Sequence, residues 1–497
     1  MKIMFENRRY LLFFLIILLA QAILLSTFVL FRLIDYDEAS YLSAAYSVKT
    51  GKLPYADFFY AQMPYVPYAY SPVSSFGLAS LFWGRLISAL ASLVLGLALF
   101  WFAYKSSKDA KLSLFLFFLY SFNGLFLTWH SVVKTLVLSD LFGFLSFIFF
   151  ASYLRSEDGR KNVEILLAGF LVGIALNLRL TFSLIWLAEG VLIFFLSSMK
   201  NKKQKMIAFL FFCLGTVLSS SFAIYLFLKD PGAFIFDNLT YHQILGAGFI
   251  KLGFLKRILT VFKFLFYPQN LFIIFLALVG LIVSFKKRRN TEGCVLNHKI
   301  VLSAFIFGIV MIVTSFSISP TTFQHYEQAL PFFLVSLIPA LSYLESKWGN
   351  RKIFLGGIST LYIFFVIPFI VIFIFSVRDR DKPYPKSEVR KVVKVIEENS
   401  EPKEMVFSTW PAYVVFAKRE PVPGLETWGW EVAHLLSPQE LKRSKLINRQ
   451  KMEEIILEKK VGLIVNFCSD LSGLENLLDV NYRHIKTIGD TKIYKAK

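Results

Sequence analysis

The stretch IDYDEASYLSAAYSVKTGKLPYADFF, Ile34–Phe59, follows directly on the first long apolar run of the chain. It carries three acids within four residues, Asp35, Asp37 and Glu38, and then a short amphipathic segment. Glu38–Lys49 is expected to form a helix with Tyr41, Leu42, Ala45, Tyr46 and Val48 along one side. Gly51 suits the C-terminal cap, and Pro54 prevents continuation. Such a helix is expected to lie at a membrane surface, its acidic start beside the preceding apolar run. Asp35 and Glu38 have the three-residue spacing of a capping box, and acids favour a helix N-terminus. Capping accounts for one or two of the acids and leaves Asp37 open to a second role.

The whole chain is of the same apolar character. Its 497 residues are 56% hydrophobic and include 55 phenylalanines, with a mean hydropathy of +0.57. Several apolar runs of about twenty residues can each span a bilayer as a helix, so a polytopic membrane protein is expected. The run ending at Phe31 is too long for a signal-peptide core and reads as an uncleaved first span. The net charge of +20 is concentrated in short loops such as KNKKQK (Lys200–Lys205) and KKRR (Lys286–Arg289). Charge in that pattern orients helices and touches anionic lipid; nucleic acid is not an expected partner. The three cysteines, Cys213, Cys294 and Cys468, have no disulfide or metal spacing.

Spans are expected at about 10–33, 76–104, 112–128, 136–154, 163–179, 181–199, 206–228, 269–285, 300–319, 329–345 and 353–377. The loops after the even-numbered spans are KSSKDAK, RSEDGRKN, KNKKQK, KKRRNTEGCVLNHK and ESKWGNRK. With the basic N-terminus they mark the cytoplasmic side. The long loops 34–75 and 229–268 then lie outside. From about Arg378 a polar linker leads to a segment rich in short β and helical runs. It holds a helix at SEVRKVVKVIEENS, strands at EMVFST and VGLIVNF, and a terminal hairpin turning at Gly489–Asp490. Residues 1–377 are thus expected to form a transmembrane domain and 378–497 a small soluble extracytoplasmic α/β domain.

The string DYDEASYLSAAYSVKTGKLPYADFFYAQMPYVPY resembles the first outer loop of polyprenyl-phosphate-sugar-dependent glycosyltransferases of the GT-C fold. It is most similar to the branch of protein O-mannosyltransferases and lipid A aminoarabinose transferases. The shared elements are Asp37-Glu38, Gly51, Pro54-Tyr55, Asp57-Phe58 and Pro64-Tyr65. The second span, with Arg85, and QHYEQALPFFLVSLIPAL, with His325 and Tyr326, resemble the same family more diffusely. AQMPY (Ala61–Tyr65) departs from it, lacking the His and Lys that many members carry there; Lys134, His130 or His325 are candidate replacements.

The resemblance implies an inverting transfer from a lipid-phosphate sugar to an acceptor hydroxyl on a protein, lipid or glycan. Asp37 would be the base and Glu38 its support. Arg85, Arg179 and His325, with Tyr326 as a neutral donor, would hold the phosphate. Snorkelling to lipid headgroups is the alternative for the two arginines, and an interface histidine for His325. Asp140 would support the loop, bind a metal or cap its helix. No cofactor is required by the sequence, and a divalent metal is compatible with it. Glu189 falls in mid-span, where an unpaired charge is costly. Asp237, His242 and GAGF (Gly246–Phe249) mark the second outer loop as a cover or acceptor entrance. No Gly-rich phosphate loop is present, which leaves a nucleotide-sugar or ATP site unsupported. The rival readings are a secondary transporter or flippase, although no internal repeat is visible, and a membrane-anchored binding or assembly protein.

Overall fold

The computed structural model describes residues 8–155, 162–199, 201–248, 250–288, 296–318, 322–347, 351–375, 385–468 and 470–497. Much of the basic loops, Cys294, Phe249 and most of the linker after Arg378 lie outside the described residues. Six helices are long and apolar enough to cross a membrane. They are α1 (Arg8–Phe31), α3 (Ala79–Ser107) and α4 (Leu136–Leu154), with Lys202–Lys229, Pro268–Lys286 and His298–Ser317; α2 (Tyr36–Lys49) is the loop helix between the first two. Leu19, Phe31, Phe195 and Leu228 are among many large apolar side chains left exposed on the helices, which is a surface suited to lipid rather than to water.

Two expected spans are broken, for local reasons. The segment 112–128 divides into Ala110–Ser121 and Gly124–Trp129, because the Asn123 side chain accepts from Leu125 N–H at 3.0 Å and starts a new helix. The segment 329–345 falls in a helix pair, Phe323–Ser336 and Ile338–Leu344, bent by 45°. Pro339, just past the bend, has no N–H to continue the ladder. Counted as one unit, this pair is a seventh candidate span. Shorter apolar helices stand at Ala110–Ser121, Asn162–Leu178, Leu180–Leu196 and Ser359–Phe375.

Helix α2 begins at Tyr36, two positions before the expected start, since Asp35 is its N-cap and the full capping box with Glu38 forms. At the other end Gly51 N–H reaches Val48 O at 3.1 Å and Lys52 N–H reaches Ser47 O at 3.0 Å. These are the two bonds of a Schellman cap, and Gly51 takes the left-handed φ of +94° that the cap demands. The helix does not lie on a lipid surface with one face open. Residues Glu38–Ala45 are buried throughout, because residues 65–76 and the C-terminal segment both pack on the helix.

That segment is a five-stranded mixed sheet in the order β2-β1-β3-β5-β4. Its strands are β1 (Met405–Ser408), β2 (Glu420–Pro421), β3 (Leu463–Asn466), β4 (Tyr482–Ile488) and β5 (Thr491–Ala496). Alternation sends Val406, Leu463 and Val465 to a core shared with α2, while Phe407 and Ile464 enter a separate cluster under Ile455 and Ile456. Helix α5 (Pro411–Phe416) packs on α2, and the indole N–H of Trp410 reaches Tyr36 O at 3.3 Å. Lys386 adds a clamp by donating to the Val29 and Leu30 carbonyls at 3.2 and 2.5 Å. One face of the sheet thus shares an apolar core with α2, while the other face packs a cluster of its own.

Candidate active site

The first functional contacts come from the end of α1. A helix leaves its last carbonyls without partners, and here a buried arginine collects them. Arg85, on α3, donates to the Arg32 and Leu33 carbonyls at 2.8 Å each and to Val29 O at 3.4 Å. Its remaining N–H groups grip the Glu38 carboxylate at 2.8 and 2.6 Å. Glu38 also accepts from Asp35 N–H and Val133 N–H at 3.0 Å each. Both side chains are fully buried. Arg85 therefore spends its donors on protein and is not on the cavity wall; neither is Glu38. The pair ties together α1, α2 and α3, and Arg85, expected to hold a phosphate, is not among the residues lining the cavity.

Asp37 sits one residue before this knot and points the other way. Its carboxylate is about one-third exposed and lies 2.9 Å from Lys134 Nζ. The same ammonium is 2.9 Å from Asp35, 3.3 Å from Gln324 Oε1 and 4.9 Å from the Trp129 ring centre. Burial alone would raise Asp35, but Lys134 and Arg32 more than offset it and hold the carboxyl below its ordinary value. Burial would likewise lower Lys134, while Asp35 and Asp37 raise it, so the ammonium stays charged. A depressed carboxyl stabilises the fold at neutral pH and loses that contribution as pH falls through its lowered value. Melting of Asp35→Asn is expected to depend less on acid pH than melting of the parent chain.

Asp37 and Lys134 open onto a cavity of about 950 Å³. Arg179, Arg257, His242, His325 and Trp428 complete its polar and aromatic wall. Arg179 is held through Thr135 Oγ1 at 2.7 Å, and its Nε has no partner among the described residues. His242 Nε2 stands 2.8 Å from Ala61 O, so that nitrogen carries the hydrogen and Nδ1 remains an acceptor. Burial pushes this imidazole below its ordinary value. Among the described lining residues Asp37 is the one carboxylate, against three permanent cations.

The other expected residues are placed as follows. Arg179 and His325 line the cavity with Asp37. Tyr326 does not; it is buried against Phe264, ring centres 5.3 Å apart. Asp140 lies behind the wall, bonded to Gln328 and His130 at 2.7 and 3.3 Å. Asp237 anchors the first loop by accepting from Tyr60 N–H at 2.9 Å. Glu189 meets Ser146 Oγ at 3.0 Å from each carboxylate oxygen. Two wall residues were not foreseen. Arg257 lies on the amphipathic helix Ile250–Phe266, where a basic residue amid apolar ones in an outer loop was the available signal. Trp428 belongs to the Gly- and Trp-dense run GLETWGWE.

Trp428 is delivered by a tight loop. Thr427 Oγ1 donates to Phe59 O at 2.7 Å, and Lys52 pairs with Glu426 at 3.1 Å. Gly429 has φ +141°, and a Cβ there would sit 2.3 Å from the Phe59 ring. Gly429→Ala is accordingly expected to destabilise the chain by about 1–3 kcal/mol, read as a lower Tm.

No family profile matches the sequence, and no curated protein matches it at the sequence level. The architecture is the GT-C fold of membrane glycosyltransferases, and the chain is an integral multi-pass membrane protein. Over 97% of either chain it is similar to ArnT from Cupriavidus metallidurans, both bound to undecaprenyl phosphate (TM-score 0.66, 12% identity) and in the apo state (0.66, 11%). The oligosaccharyltransferase of Archaeoglobus fulgidus is similar over 95% of this chain and 71% of its own, with a TM-score of 0.54 and 14% identity. At such identities the likeness is one of fold.

Proposed function

We propose that the chain is an inverting glycosyltransferase, moving a hexosyl or pentosyl group from a polyprenyl-phosphate donor to an acceptor hydroxyl. The observation that carries this reading is a single carboxylate among the described lining residues, Asp37, set in a cavity whose other described charges are Lys134, Arg179 and Arg257. That balance suits an anionic phosphodiester headgroup. Bound undecaprenyl phosphate in a structure of the same fold gives the donor class further support.

The acceptor oxygen attacks the anomeric carbon as its proton passes to Asp37. The bond from that carbon to the phosphate oxygen breaks, its electron pair leaves with the phosphate, and the configuration inverts. Polyprenyl phosphate departs carrying one more negative charge, which Lys134, Arg179 and Arg257 stabilise. In the resting site Lys134 bridges Asp35 and Asp37. Its turn toward an arriving phosphate frees Asp37 as base. Glu38 and Arg85 hold this geometry without touching the reacting atoms. Eleven spans with a cytoplasmic N-terminus would place the site and the C-terminal sheet on the outer face of the plasma membrane, where a flipped lipid donor is available.

The test is incubation of the purified protein with labelled polyprenyl-phosphate sugars and identification of the labelled product. Binding with neither transfer nor hydrolysis would favour a transporter or flippase. Arg179→Ala and Arg257→Ala are each expected to weaken donor binding by about 10- to 100-fold, the worth of a charge-assisted contact. The check is a titration with polyprenyl phosphate.

A further inference from the structure

Behind the cavity wall stands a cluster that the proposed transfer does not use. His130 Nε2 lies 3.3 Å from Asp140 Oδ2 and 2.8 Å from Glu327 Oε2. The three ligand atoms all fall within 4.8 Å of one another, and His130 and Glu327 have no exposed surface. Spacings near 3 Å are the edges of a coordination shell with bonds of about 2.1 Å.

The far side of the imidazole is held as well. Tyr120 gives its one hydroxyl hydrogen to Ser92 O at 2.9 Å. Ser92 Oγ and Tyr120 Oη lie 2.9 Å apart. Both hydroxyl oxygens stand within hydrogen-bond reach of His130 Nδ1, at 3.2 and 3.3 Å, and can accept a hydrogen from it. In the tautomer with its hydrogen on Nδ1, the Nε2 lone pair faces the two carboxylates, and three donor atoms converge on one point. Gln328 donates to Asp140 Oδ1 at 2.7 Å and fixes that carboxylate from behind. Hydrogen bonds of this kind, made by the ligands' other atoms, orient metal-binding side chains. Independently of the cluster's composition, Glu327 Oε1 is buried with no hydrogen-bond partner among the described residues. No Lys or Arg makes a salt bridge to either carboxylate among those residues.

We propose that His130, Asp140 and Glu327 bind a structural divalent cation, Zn²⁺ or Mn²⁺, beneath the cavity. One nitrogen and two carboxylate donors suit such an ion, and two positive charges cancel those of the carboxylates. The ion would join three elements: the loop that supplies Lys134 and Thr135, the start of α4, and the turn that supplies Gln324 and His325. It pins the cavity floor and does not touch the substrate.

The test uses the full chain purified in detergent without chelator. Elemental analysis is expected to find about one Zn or Mn per chain. Dialysis against 1,10-phenanthroline should remove it and lower the Tm, and added Zn²⁺ or Mn²⁺ should restore both. Glu327→Gln should lose the ion, and Tyr120→Phe should weaken it by about 10- to 100-fold. If the parent chain prepared with added Zn²⁺ and Mn²⁺ holds neither, and its Tm ignores metal and chelator alike, the proposal is overturned. A protonated-carboxyl infrared band would then assign a shared proton to the cluster. These readouts need no sugar transfer, so they stand or fall apart from the proposed activity.

Discussion

Asp37→Asn is expected to lower sugar transfer by about 10²- to 10⁴-fold, the usual loss when a positioned general base is removed. Asparagine keeps the shape and cannot take the acceptor proton. The substitution removes the one carboxylate from the described cavity wall, so affinity for the anionic donor should hold or rise while turnover falls. Lys134 retains Asp35 as a partner at 2.9 Å, so the fold should survive. Measuring donor binding, turnover and Tm on the same preparation separates the outcomes. Unchanged turnover would remove Asp37 as the base. His242, whose Nδ1 is an acceptor on the same wall, would be the next candidate.

Arg85→Leu is expected to cost about 3–5 kcal/mol of stability, the penalty of leaving one member of a buried ion pair uncompensated. Glu38 would lose both guanidinium bonds, and the Arg32 and Leu33 carbonyls at the end of α1 would lose their donor. Since total stabilities are only about 5–15 kcal/mol, much of the protein should aggregate on purification. Glu38→Gln alone should be milder, because the amide oxygen still accepts. Combined with Arg85→Leu it should recover part of the loss, a non-additivity expected of contacting residues. Size-exclusion profiles and Tm in detergent check this. If Arg85 held the donor phosphate, the leucine variant would instead stay folded and lose donor affinity.

Where the sequence was informative, the reason is local. Asp35 and Glu38 lie three residues apart, and their hydrogen bonds close within one helical turn, so spacing alone revealed the capping box. Gly51 stands where the chain needs a positive φ, and a hairpin turning at Gly489–Asp490 needs only its own neighbours. Short β-rich runs likewise marked β1 and β3. Helix breaks were harder: Asn123 sits in an apolar run that reads as one span, and its competition as a cap is decided by a single hydrogen bond.

The amino-acid sequence by itself therefore determined the apolar helices, the acidic cap after the first of them, and Asp37 as the acid that capping leaves over. Tertiary structure alone decided which cations surround that acid. Arg85 and Lys134 both follow it at long sequence distance, and nothing in their local context says that one faces Glu38 and the other Asp37. That choice was made by burial. Arg85 is enclosed between the end of α1 and the start of α2, where unpaired carbonyls and Glu38 take up its donors. Lys134 emerges at the cavity edge beside Asp37, where an anionic headgroup can compete for it.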